Sequence, residues 1–167
     1  MVILPIETSP IDTGRYGSPE IRRIFDEENK LQKWLNVEAA IAKAQAAVGD
    51  IPKAAAEEIA RNATTKTVTL ARVKEIEKDI RHDLMSLVVA LSDACSGEGK
   101  RYVHYGLTSY DIEDTTTGLL FREAFELVEE SIYGDCVVSS KMKTSGGRSR
   151  AVADTDSDAT SLCPGDV

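Results

Sequence analysis

The sequence predicts an all-α fold, and three observations carry that prediction. Apolar residues recur at three- and four-residue spacing from Ser18 to about Glu130, the period of helices with one buried face. Helix punctuation frames these runs: Ser18-Pro19, Gly49, Pro52 and Gly97-Glu98-Gly99 fall at their ends. Aromatic residues make up only 5% of the 167 positions, so Leu, Ile, Val and Ala must fill most of the core. The length suits one domain of ordinary size.

Residues 1–14 read as an extended arm, broken by Pro5, Pro10 and Gly14. Ser18 is a good N-cap, and Pro19 at the first helical position loses no needed hydrogen bond. The helix that follows carries Ile21, Ile24, Phe25, Leu31, Trp34, Leu35, Ile41 and Ala44 as its stripe. It ends near Gly49, with Asp26 to Asn29 able to interrupt it. Pro52 starts a short helix over Ala54 to Arg61, and a polar link runs from Asn62 to Thr67. Leu70, Val73, Ile76, Ile80, Leu84, Leu87 and Leu91 predict one continuous third helix from about Leu70 to Ala94. After a loop over Tyr102 to Leu107, Thr108 to Glu130 reads as a fourth long helix, with Ile112, Leu119, Leu120, Leu127 and Val128 inward. From Ile132 the chain turns to Ser, Thr, Gly and Asp without a period, a composition that cannot offset chain entropy by burial and predicts disorder.

The formal charge is -8, so counterion release at phosphates offers little and broad nucleic-acid binding is not expected. A small anionic ligand remains possible, because a local pocket can oppose the net charge. Three cysteines, Cys95, Cys136 and Cys163, without regular spacing do not make a disulfide framework, and with two histidines no metal site is expected. The N-terminal residues lack a basic region and a sustained apolar run, and no stretch reaches membrane-spanning length. The expected compartment is the cytoplasm.

Three clusters hold candidate chemistry. Thr108 and Asp111 fit a capping box, with Leu107 and Ile112 as its hydrophobic staple. Gly106 permits a close backbone approach or a positive φ. A helix start with two hydroxyls, Thr108 and Ser109, can receive an anion such as a carboxylate, with His104 beside it. The alternative is an ordinary capped helix with a satisfied histidine. Arg81-His82-Asp83 on the third helix can pair with an anionic ligand, or be a solvated face; His82 lies about 200° round the helix from Ile80, away from the stripe. Gly14-Arg15-Tyr16-Gly17 offers a bidentate phosphate ligand in Arg15 and a stacking or hydrogen-bonding group in Tyr16, or a plain turn.

The order Arg15-Tyr16-Gly17-Ser18-Pro19-Glu20, then Arg81-His82-Asp83, then His104-Tyr105-Gly106-Leu107-Thr108-Ser109-Tyr110-Asp111 resembles the adenylosuccinate lyase family of the fumarase/aspartase superfamily. Leu35-Asn36-Val37-Glu38-Ala39-Ala40, shortly before Gly49 and Pro52, is similar to that family too. The resemblance covers about Thr13 to Ser131. It implies the helical N-terminal domain of the fumarase/aspartase-like fold over 15–108 and the start of a long bundle helix over 109–131; the change of composition makes 132–167 a disordered or aberrant tail. The resemblance implies elimination of fumarate from adenylosuccinate, giving AMP, and from the succinylated aminoimidazole carboxamide ribotide. No cofactor and no metal would be needed, and the family assembles as a homotetramer whose active sites draw on three subunits.

By the same resemblance, Arg15 and Tyr16 would contact the phosphate side of the nucleotide. Arg81, His82 and Asp83 would line the substrate pocket, and Thr108 and Ser109 would hold a succinyl carboxylate. His82 and His104 are the catalytic candidates, His104 by orienting the substrate. The family's general acid is a histidine in a Thr-His motif, and no histidine follows His104. The family's general base is a serine in a loop of pattern Ser-Ser-x-Met-Pro-x-Lys-x-Asn. Ser139-Ser140-Lys141-Met142 matches its start, but Lys143 stands for the proline and the position is far too early, so the match reads as coincidence. The expectation is a chain inactive alone. Two other readings stay open: a non-catalytic module that pairs with full-length subunits, and a sister enzyme such as argininosuccinate lyase or carboxymuconate cycloisomerase.

Overall fold

The computed structural model describes residues 17–144, and for residues 135–144 the backbone alone. The proposed arm, Arg15 and Tyr16, and positions 145–167 lie outside the described residues. Among those described, every regular element is helical. In order they are α1 (Pro19–Ile24), α2 (Glu27–Val48), α3 (Lys53–Asn62), α4 (Leu70–Ile80), α5 (Asp83–Ala94), a 3₁₀ turn (Glu98–Arg101) and α6 (Ser109–Thr144). The chain divides into two compact units, Met1–Glu123 and Ala124–Val167.

The first unit is built around α2. Its inward residues Leu31, Trp34, Leu35, Ala42 and Ala46 follow the three–four period, and α3 packs on them with Ala55, Ala56 and Ile59. Alanine on both helices keeps side-chain bulk low where the two meet. Helices α4 and α5 pack against each other and close the core with Val73, Ile76, Leu84, Leu87 and Leu91. The start of α6 enters that core through Ile112, which is fully buried.

The expected punctuation holds at several points. Ser18 Oγ accepts from Ile21 N–H at 3.3 Å, and Gly49 closes α2 with φ 94°. The interruption falls at Phe25 and Asp26, where Asp26 caps α2 through Glu28 N–H at 3.1 Å. Phe25 is therefore exposed rather than inward, and the α2 stripe continues through Ala42 and Ala46 in place of Ala44.

The third helix is the main correction. It is not continuous over Leu70 to Ala94 but breaks at Arg81, which takes the left-handed conformation (φ 57°, ψ 37°), and His82, which is extended. Ile80 is consequently exposed instead of facing the core. The apolar period runs unbroken across this joint, so spacing alone could not reveal it; packing of α4 against α5 overrides the local pattern.

Helix α6 contributes to both units. In the first, Ile112 and Leu120 are buried and Leu119 packs against the core. In the second, Leu127 is half-buried, whereas Val128 is exposed against the inward expectation. The helix continues past Glu130 to Thr144, into the segment whose composition lacks a helical period. Once a helix is under way each further residue adds a hydrogen bond without a new nucleation cost, so it can extend without an apolar stripe. Ser139 to Met142 are thus helical, not a loop.

Candidate active site

The connection between α5 and α6 carries the strongest cluster, and it is held from behind at three places. At its start, the Glu58 carboxylate on α3 accepts from the backbone N–H groups of Ser96 (2.8 Å), Gly97 (2.7 Å) and Gly99 (2.9 Å). A Cβ on Gly97 would lie 2.8 Å from Glu58 Oε2, and one on Gly99 would lie 2.9 Å from it, so glycine is what allows the approach. The N–H groups of Gly97, then of Gly99, hold the Glu58 carboxyl below the ordinary carboxylate value. Further along, Gln45 Nε2 donates to Tyr105 O at 2.8 Å. Between these anchors, His104 Nδ1 lies 2.6 Å from Glu38 Oε1. That glutamate is 2% exposed and the histidine side chain 11%, so the pair is withdrawn from water.

The backbone turns sharply here. His104 has φ 58° and Gly106 has φ 70°. Nothing lies within 4 Å of a Cβ built on Gly106, so its glycine answers to conformation and not to space. The chain then enters α6 at Ser109. Asp111 Oδ2 accepts from Thr108 N–H at 2.9 Å, the returning arm of the expected capping box. Thr108 is exposed and Ser109 half-buried, while Leu107 and Ile112 both join the core as the staple predicts. Asp111 therefore occupies one N–H of this helix start, and its negative charge opposes an anion there. Asp111 N–H bonds Thr108 O, so the donors left to receive one are the other first-turn N–H groups and the two hydroxyls.

Arg81, His82 and Asp83 sit at the joint between α4 and α5, not on one helix face. Arg81 N–H still bonds Glu77 O at 2.7 Å. His82 serves as the N-cap of α5: its Nδ1 accepts from Met85 N–H at 3.4 Å, and its carbonyl receives Ser86 Oγ at 2.6 Å. The 3.6 Å approach of His82 Nδ1 to Asp83 is too long for a hydrogen bond, and Asp83 Oδ1 instead accepts from Leu84 N–H at 2.8 Å. All three side chains are exposed. Asp83 lines a cleft of about 190 Å³ with Trp34, Lys30, Lys74 and Glu77 among its other walls. Lys30 Nζ stands 4.5 Å from the centre of the Trp34 ring there. Among the described residues, no hydrogen bond or ion pair joins Arg81-His82-Asp83 to His104, Thr108 or Ser109.

Sequence reasoning assigned no role to Glu38, Glu58 or Gln45. Glu38 did leave a signal. It falls between Leu35 and Ala42 on the buried stripe of α2, where an unpartnered acid would be costly. Glu58 left none in its own neighbourhood, since Gly97 and Gly99 read simply as a helix stop.

No protein-family model matches the chain. Curated relatives do. The adenylosuccinate lyase of Methanocaldococcus jannaschii is 54% identical over 123 residues, which is 74% of this chain and 26% of the relative. That of Pyrococcus horikoshii is 56% identical over 123 residues, 74% of this chain and 27% of the relative. Over the matched 123 residues the chain is similar to adenylosuccinate lyases. The chain spans about a quarter of the length of the curated relatives it matches. Among solved structures, the 3-carboxy-cis,cis-muconate lactonizing enzyme from Pseudomonas putida matches with a TM-score of 0.67 at 30% identity, over 72% of this chain and 28% of that one. The adenylosuccinate lyases are nearer in sequence than this sister enzyme, which favours the expected family over the carboxymuconate alternative. Among the described residues no helix is long and apolar enough to cross a membrane, and no cluster of metal-ligating side chains is present.

Proposed function

We propose that the chain provides the substrate-carboxylate end of an adenylosuccinate lyase site, acting in the elimination of fumarate from adenylosuccinate and from the succinylated aminoimidazole carboxamide ribotide. The observation that carries this reading is the start of α6. Thr108 and Ser109 open that helix four and five residues after His104, whose ring is held by a buried carboxylate. In this reaction a proton leaves the carbon beside one succinyl carboxylate, the bond between the other carbon and nitrogen breaks, and its electron pair ends on the nitrogen, which takes a proton. Charge develops on the carboxylate next to the deprotonated carbon. Hydroxyl and N–H donors fixed there stabilise the transition state more than the bound substrate.

In this reading Thr108 and Ser109 receive that carboxylate, and His104 orients the succinyl group. Arg81, His82 and Asp83 line the pocket, with His82 as the second catalytic candidate. Arg15 and Tyr16 meet the phosphate side of the nucleotide. The joint at Arg81 supports the middle assignment, because a left-handed arginine is strained and strain of this kind gathers at functional sites. The family's assembly as a homotetramer gives the natural setting for a site shared between chains.

The test is fumarate release from adenylosuccinate by the 167-residue chain, alone and mixed with a full-length lyase whose own Arg-His-Asp and Thr-Ser groups are replaced. Fumarate from the mixture is expected, falling by about 10²-fold or more with Thr108→Ala/Ser109→Ala in the 167-residue chain. No fumarate from either preparation overturns the proposal.

A further inference from the structure

We propose that Glu38 is the positioning residue for His104, fixing its imidazole as the tautomer with the proton on Nδ1 and the open lone pair on Nε2. The inference deepens the reading above and rests on His104 as a group that meets substrate. Its starting point is the 2.6 Å contact between His104 Nδ1 and Glu38 Oε1. An ionised carboxylate only accepts hydrogen bonds, whereas a neutral imidazole has one donor nitrogen and one acceptor nitrogen. With Glu38 as the carboxylate, the contact makes Nδ1 the donor and leaves Nε2 as the acceptor. With Glu38 at 2% exposure, little water competes for that carboxylate.

Two features make the arrangement a positioning device and not a chance meeting. Glu38 and Gln45 are seven residues apart on α2, about two turns, and so share a face. One holds the His104 ring and the other holds Tyr105 O, the carbonyl of the next residue. Ring and backbone are thus fixed from the same helix, across a left-handed turn at His104 itself. An Nε2 presented in this way can accept a hydrogen bond from substrate or take a proton. If it takes one, the carboxylate behind the ring stabilises the imidazolium, as in other carboxylate–imidazole pairs.

The test is a long-range ¹H–¹⁵N correlation spectrum of the histidine side chains in the ¹⁵N-labelled 167-residue chain, at a pH where the rings are neutral. The chain has two histidines, and His82→Asn identifies the signals of His104. His104 is expected as the Nδ1–H tautomer. In Glu38→Gln the population should shift toward Nε2–H, because a glutamine amide can donate as well as accept. An Nε2–H tautomer in the unaltered chain, or the same population in both chains, overturns the proposal. Should Glu38→Gln fail to fold, the spectrum of the unaltered chain decides, since an Nε2–H ring would make Nδ1 the acceptor and the Glu38 carboxyl the donor, the reverse of the proposal. No substrate is involved, so a failure here is distinct from a failure of the fumarate assay.

Discussion

Replacing His104 by alanine should cost this chain a large part of its stability, even though the histidine sits in a connection and not in a helix. The reason is what it leaves behind. Glu38 is 2% exposed and loses the partner that lies 2.6 Å away. Removing one member of a buried, hydrogen-bonded pair costs about 3–5 kcal/mol, because the remaining group stays desolvated. Against a total stability of about 5–15 kcal/mol for a domain, that is a severe loss. With a urea m-value of about 2 kcal/mol/M, the unfolding midpoint should fall by about 2 M. The decisive comparison adds Glu38→Leu, which removes the stranded carboxyl group. It should destabilise the unaltered chain but return about 2 kcal/mol in the His104→Ala background. If His104→Ala costs under about 1 kcal/mol, or if Glu38→Leu has the same effect in both backgrounds, the energetic reasoning about this pair is wrong.

Arg81→Gly should relieve the left-handed strain and raise stability by up to about 1 kcal/mol in urea unfolding, while lowering fumarate release in the complementation assay. Glu58 has a carboxyl value lowered from 4.5 in the folded chain, so its contribution is present above that value and lost as pH falls through the lower folded one. Acid unfolding followed by circular dichroism should therefore begin at higher pH in Glu58→Gln, where that pH-dependent contribution is absent and the loop anchor is weakened. Burial raises the Cys95 thiol above 9.0, so stability should hold up to about that pH and decline as pH rises through the folded value. In a Cys136→Ser/Cys163→Ser chain, alkylation of Cys95 should accordingly track global unfolding, and rapid labelling of the folded chain would contradict its burial.

Most of the helices were legible because they follow a local rule. The stripe of α2, the stop at Gly49 and the Asp111 carboxylate on Thr108 N–H each depend on a few neighbouring residues, and each stands where the spacing puts it. The joint at Arg81 was not legible. Ile76, Ile80, Leu84 and Leu87 keep perfect helical spacing across it, and no glycine or proline marks the left-handed residue. The candidate site divides in the same way. Thr108, Ser109 and His104 could be singled out because a helix start has its own chemistry. The supports at Glu38 and Glu58 act on residues 66 and about 40 positions away, and no local pattern encodes such a contact.

Helix α2 also acts as a gauge for the rest of the unit. Gln32 receives Thr65 N–H at 2.9 Å and donates to Ala63 O at 3.2 Å, Glu38 meets His104, and Gln45 reaches Tyr105 O. Three polar side chains over thirteen residues, about 20 Å of helix, thus hold two separate connections in place. A single residue inserted between Gln32 and Glu38 would turn everything beyond it by about 100° and advance it by about 1.5 Å. The connection after α3 and the turn before α6 could then no longer be gripped together. What α2 must keep is the number of residues between its three grips.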